Sequence, residues 1–114
     1  MLASILVKKI PKYLQYPYQE MKARLSNTSA ITEIVDLSEI KQEYWAQIEL
    51  NPLYEHEKSE PRVSEIVCDF LISDGKFTLS STICFPQIGS AYCGDSIFDA
   101  SGSKLPEKYC SINP

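Results

Sequence analysis

The side chains best able to ligate a metal or attack a substrate are Cys68, Cys84, Cys93, Cys110 and a single histidine, His56. Zinc sites usually place two ligands two to four residues apart. Here successive cysteines are 16, 9 and 17 residues apart and no CxxC occurs. His56 lies between Glu55 and Glu57 in the most charged stretch of the chain. The expectation is no metal and no cofactor, with core or loop cysteines and a surface histidine. A cysteine nucleophile would need His56 as its base. Cys93 is the best candidate, because Gly94 in the sequence AYCGD could offer a backbone amide to a substrate.

Other catalytic patterns are absent from the sequence. No GxSxG elbow surrounds any serine. The four glycines (75, 89, 94 and 102) are too scattered to cradle a phosphate. No Asp or Glu pair stands out for acid–base work. The residues therefore point away from an enzyme. A small cysteine-dependent hydrolase using Cys93 is the enzymatic alternative, and a non-catalytic subunit of a larger assembly is another.

Charge is distributed unevenly. Residues 1–25 carry five Lys or Arg against one Glu, a net +4, and residues 26–74 carry eleven acids against three bases, a net −8. The rest is balanced, and the whole chain is at −4. No global basic field favours nucleic acid. The basic N-terminal segment with Tyr13, Tyr16 and Tyr18 could stack on bases, but tyrosines so placed read as core and turn residues. The acidic middle is either a solvated surface or a recognition face for a basic partner, since a one-signed patch speeds encounter and rejects acidic rivals. On the second reading the contacts come from Trp45, Glu49, Glu65 and Asp69, an aromatic anchor with carboxylates held on strands. The class this suits is an immunity or antitoxin protein that neutralises a basic, nuclease-like toxin by stoichiometric binding. That assignment rests on size and charge rather than a motif.

The elements that must carry these residues centre on 62–85, RVSEIVCDFLISDGKFTLSSTICF. Asp74-Gly75 between alternating apolar residues is a strong hairpin signal. A two-residue turn there sets Phe70 opposite Leu79, Cys68 opposite Ser81 and Ile66 opposite Ile83. One face then collects Ile66, Cys68, Phe70, Ile72, Phe77, Leu79, Ile83 and Phe85. The other holds Glu65, Asp69, Thr78, Ser80 and Thr82, with Val63, Val67 and Leu71 among them. Cys68 and Cys84 point to opposite faces and cannot easily pair.

Elsewhere, residues 4–10 (SILVKKI) read as a strand closed by Pro11. Pro17 opens a helix over 18–25, with Tyr18, Met21 and Leu25 on one face and Asn27 as a stop. Residues 31–35 read as a short strand. Residues 43–50 read as another, with Trp45, Gln47 and Glu49 on one side and Ala46, Ile48 and Leu50 on the other, broken by Asn51-Pro52. Residues 55–61 read as a charged connection and 96–98 as a short edge strand. At 114 residues and 44% hydrophobic, the chain suits one domain spanning 1–114. Strands following one another with short connections predict an α+β fold, an antiparallel sheet of four to five strands with one or two helices on one face. The apolar run at 2–7 is only six residues and its lysines follow it, so neither an export signal nor a membrane span is expected. The compartment expected is cytoplasmic, with reduced thiols. Cys93 and Cys110 would pair only in an oxidising setting. The sequence leaves the oligomeric state open.

Overall fold

Leu2, Ile5, Leu6, Ile10 and Tyr13 recur at helical spacing, and they decide the structure of the N-terminal segment. The computed structural model describes residues 2–36, 45–59 and 62–94. In it these five side chains are buried along one side of a helix, α1 (Leu2–Tyr13). The strand expected at 4–10 is thus a helix. Ser4, Lys8, Pro11 and Lys12 fall on its exposed side, a 3.6-residue pattern that a short apolar run conceals. Pro11 does not close it. A proline so near the C-terminal end forfeits one intrahelical bond, and the Leu14 amide still donates to the Ile10 carbonyl at 3.0 Å.

The second helix, α2 (Tyr18–Ser26), forms as its sequence suggests. Pro17 sits at the N-cap, and its carbonyl accepts from the amides of Glu20 and Met21 at 3.1 and 3.2 Å. Tyr18 and Met21 are buried, and Leu25 packs against the core. Asn27 closes the helix, and its amide donates to the carbonyl of Ala23.

Five strands follow: β1 (Ile31–Asp36), β2 (Trp45–Ser59), β3 (Arg62–Ser73), β4 (Thr78–Pro86) and β5 (Tyr92–Cys93). They form one antiparallel sheet in the order β1-β2-β3-β4-β5. The fold is the α+β arrangement anticipated, with five strands and two helices. Both helices contribute to the same core as the apolar side of the sheet. Ala46, Ile48, Leu50, Ile66, Phe70, Ile72, Ile83 and Phe85 are buried there with Leu6, Ile10, Tyr13 and Met21. The rings of Tyr13 and Phe70 pack at 4.9 Å between centroids and 50° between planes.

Two sheet acids tie the helices down. Glu33 on β1 accepts from Lys9 (2.5 Å), Lys12 (2.8 Å) and the Tyr13 hydroxyl (2.5 Å) of α1. Glu55 on β2 accepts from the Tyr18 hydroxyl and lies 3.6 Å from the Lys22 ammonium of α2.

Two expectations about strands are corrected. In the 62–85 hairpin, Ser73 pairs with Thr78, Ile72 with Leu79, Phe70 with Ser81 and Cys68 with Ile83. The loop is Asp74 to Phe77, two residues longer than a type I′ turn. Asp74 accounts for this: its Oδ1 accepts from the amides of Lys76 (2.9 Å) and Phe77 (2.8 Å), a side-chain turn that competes with the two-residue loop. Gly75 supplies the left-handed backbone at φ +91°. A shift of two preserves the side-chain period, so the facing holds, except that Phe77 leaves the buried set and is exposed.

The second correction is that Asn51-Pro52 does not break β2, which continues through residues expected to be a charged connection. β1 stops pairing at Ile31–Leu50. Beyond that point nothing among the described residues pairs with β2 on the β1 side, and a proline is tolerated there. A β-bulge lies between Pro52 and Tyr54. The edge strand expected at 96–98 and the start of the strand at 43–44 lie outside the described residues.

Candidate protein-binding face

Because side chains alternate along a strand, burying Ala46, Ile48 and Leu50 against the helices turns Trp45, Gln47 and Glu49 to the other side of the sheet. This second side carries large apolar side chains that remain exposed: Ile34 at 62%, Trp45 at 54%, and Leu53 and Tyr54 at the bulge at 44% and 53%. Asp36 is the cross-strand partner of Trp45, and Ile34 is that of Gln47. Glu49 lies between Thr32 and Leu71, and Asp69 between Asn51 and Thr82. Glu49 and Asp69 are thus diagonal neighbours, on the order of 7–8 Å apart. Trp45 and Tyr54 are nine positions apart on one strand, roughly 30 Å at the usual rise.

The fold separates the four residues singled out from the sequence. Trp45, Glu49 and Asp69 share the open side of the sheet. Glu65 is on the same side but only 3% exposed. Its Oε1 lies 2.7 Å from His56 Nε2, and its Oε2 accepts from the Tyr92 hydroxyl at 2.5 Å. Burial and this bond to the carboxylate push the Tyr92 phenol upward in pKa. Glu65 is therefore a fully bonded internal acid and offers nothing to a partner. A proximal sequence gives no warning of this, because Tyr92 is 27 residues away.

Most of the acidic middle is similarly occupied. Glu33 and Glu55 bind the helices. Glu57 pairs with Arg62, and Asp74 bonds its own turn. Of the eight acids described in residues 26–74, Asp36, Glu49, Glu65 and Asp69 are on the open side, and Asp36, like Glu65, is engaged. Among the described residues no hydrogen bond or ion pair engages the carboxylates of Glu49 or Asp69. Asp69 is partly buried, and desolvation raises its pKa.

The geometry also removes the cysteine nucleophile. Cys93 is disulfide-bonded, to a partner outside the described residues, while Cys68 and Cys84 are free and buried. Burial, with smaller contributions from Cys84 and Asp69, pushes the Cys68 thiol up to about 12, the inert end of the thiol range. Cys93 pairs with Ile83 on the helix side of the sheet, whereas His56 is on the open side. The Gly94 amide donates to the Thr82 carbonyl at 2.6 Å. The thiols were expected to be reduced; the disulfide at Cys93 corrects this for one of them. Among the described residues no group of three or more His, Cys, Asp and Glu is placed to hold a metal. No described helix is long and apolar enough to cross a membrane.

A separate cleft of 340 Å³ opens where α1 hands over to α2, between Tyr16, Pro17 and Tyr18 and the chain at Phe85, Pro86 and 89–91. Trp45, Glu49, Glu65 and Asp69 do not line it, whereas Tyr16 and Tyr18, the tyrosines weighed above for base stacking, do. No family model, curated protein or solved structure matches the chain.

Proposed function

We propose that this chain is a protein-binding module that neutralises a basic partner by stoichiometric contact, as an immunity or antitoxin protein does to a nuclease-like toxin, and that it performs no chemistry of its own. One observation carries the reading: Trp45 and Ile34 are held more than half exposed on the sheet, with the carboxylates of Glu49 and Asp69, which bond no other described residue, on the same side. An isolated exposed apolar residue needs no explanation, but several on one sheet face rimmed by polar groups mark an interaction site. The strands already fix the backbone, so binding has only side chains to order. The roughly 30 Å from Trp45 to Tyr54 is the width of a standard interface of about 800 Å² per partner. The disulfide at Cys93 supports an oxidising compartment in place of the cytoplasm.

The test begins by purifying this chain from its native host together with whatever binds it and reading the charge of the captured protein. A one-to-one complex is expected. Trp45→Ala should weaken it by about 2 kcal/mol or more, as for a hot-spot aromatic. Glu49→Lys should slow association at low salt, and the difference should shrink at high salt as screening takes over. Equal affinity and equal salt dependence for both variants and the parent would overturn the reading.

A further inference from the structure

The chain has three asparagines, at 27, 51 and 113, and proline follows two of them. The other opens Asn27-Thr28-Ser29, the Asn-x-Ser/Thr acceptor pattern for an N-linked sugar. The pattern also recurs by chance, so its weight depends on where the fold puts it and on the compartment. A usable acceptor lies in a surface turn of a secreted chain. Asn27 caps α2 and is exposed. Two bonds close the helix at this point. The Thr28 amide donates to the Leu25 carbonyl at 3.2 Å, and the Ser29 amide to the Arg24 carbonyl at 2.9 Å. They are the paired bonds of a Schellman turn, which takes a left-handed residue, normally glycine, just past the cap. Thr28 fills that position at φ +51°, and its hydroxyl donates to the Asn27 carbonyl at 2.7 Å. The backbone of the turn is thus fixed. Among the described residues no hydrogen bond engages the Asn27 side-chain amide or the Ser29 hydroxyl. Those are the acceptor and the hydroxyl that the pattern specifies.

The second support is independent of the motif. Cys93 is disulfide-bonded, which favours an oxidising compartment of the kind in which secreted chains acquire sugars. We propose that Asn27 is a modification site that carries an N-linked oligosaccharide. The proposal rests on the oxidising compartment and does not depend on the partner's identity. In the transfer, Asn27 Nδ2 forms a bond to the anomeric carbon of a sugar held on a lipid diphosphate. The bond from that carbon to the diphosphate oxygen breaks, the lipid diphosphate leaves, and Nδ2 gives up one proton. The host's transferase and sugar donor supply the chemistry, and this chain supplies the acceptor. Tyr18 and Met21 of α2 are buried with Ala46, Ile48 and Leu50, on the side of the sheet opposite Trp45. A sugar at the end of α2 therefore leaves the open face of the sheet free.

The experiment takes the whole chain from its native host and measures its intact mass before and after treatment with a peptide-N-glycosidase. The mass should exceed that of the polypeptide, and the enzyme should remove the excess and convert Asn27 to aspartate. Variants made in the same host separate the pattern from its surroundings. Asn27→Gln and Ser29→Ala should lose the excess mass entirely. Thr28→Gly and Ser29→Thr, which keep the pattern, should retain it. A native chain without excess mass overturns the proposal, as does a sugar that survives Asn27→Gln or Ser29→Ala. Alkylation of the same sample, unfolded but unreduced, tells which premise failed. Cys93 protected and Asn27 bare would sink the sugar and leave the oxidising compartment standing. Cys93 labelled and Asn27 bare would sink both.

Discussion

Replacing Glu33 with Gln should remove the attachment of α1 to the sheet and, with it, a defined part of the acid sensitivity of the protein. Burial alone would raise the Glu33 pKa. The hydrogen bonds from Lys12, Lys9 and Tyr13 and the charge of Lys9 outweigh burial and hold it at about 2, against 4.5 for a free carboxyl. The folded state therefore binds the Glu33 proton more weakly than the unfolded state. Stability from this group is fully present above pH 4.5 and is lost as the pH falls from there toward 2. A shift of that size corresponds to about 3 kcal/mol at most. The Lys12 side chain is more than half exposed, so solvent and salt screen part of this and about 1–2 kcal/mol is the working figure. Urea titrations of the parent and Glu33→Gln at about pH 7, 4.5 and 3 would measure it. The parent should be the more stable at neutral pH, and the gap should narrow toward pH 3. A gap that stays constant across this range, or none at pH 7, would refute the argument that Glu33 is an ionised latch.

Other outcomes follow from packing and from the thiols. Phe70 is fully buried against Tyr13, so Phe70→Ala should cost about 3–5 kcal/mol in a denaturation experiment, while Phe77→Ala, at an exposed loop position, should cost well under 1 kcal/mol. Equal shifts would mean that the four-residue loop is wrong and Phe77 belongs to the core. Alkylation of the unfolded, unreduced protein should label Cys68 and Cys84 but not Cys93; labelling of Cys93 without reductant would remove the disulfide and with it the support for an oxidising compartment.

The alternation of 45–50 and of the 62–85 hairpin determined which side chains face the core, because a strand's period of two leaves no freedom once one face is apolar. The helix at α2 was equally legible, from Pro17, a run of strong helix formers and Asn27. α1 was not, since six apolar residues in a row satisfy both a strand and a buried helix until the contacts of Ile10 and Tyr13 are known. The length of β2 was hidden as well. Pro52 and the charges after it signal a break when read locally, yet the pairing of β1 with β2 stops at Ile31–Leu50, and among the described residues that leaves a strand edge that a proline can occupy. Strand parity put Trp45 and Glu49 on one face, but only the tertiary structure decided that this face leaves Trp45 exposed. The fate of the acidic middle did not. Charge along the chain says how many carboxylates exist, but whether each is free depends on groups distant in sequence. Glu33 meets α1, Glu55 meets α2 and Glu65 meets Tyr92 only when the helices and β5 close on the sheet, and among the described residues that closure gives Glu49 and Asp69 no partner.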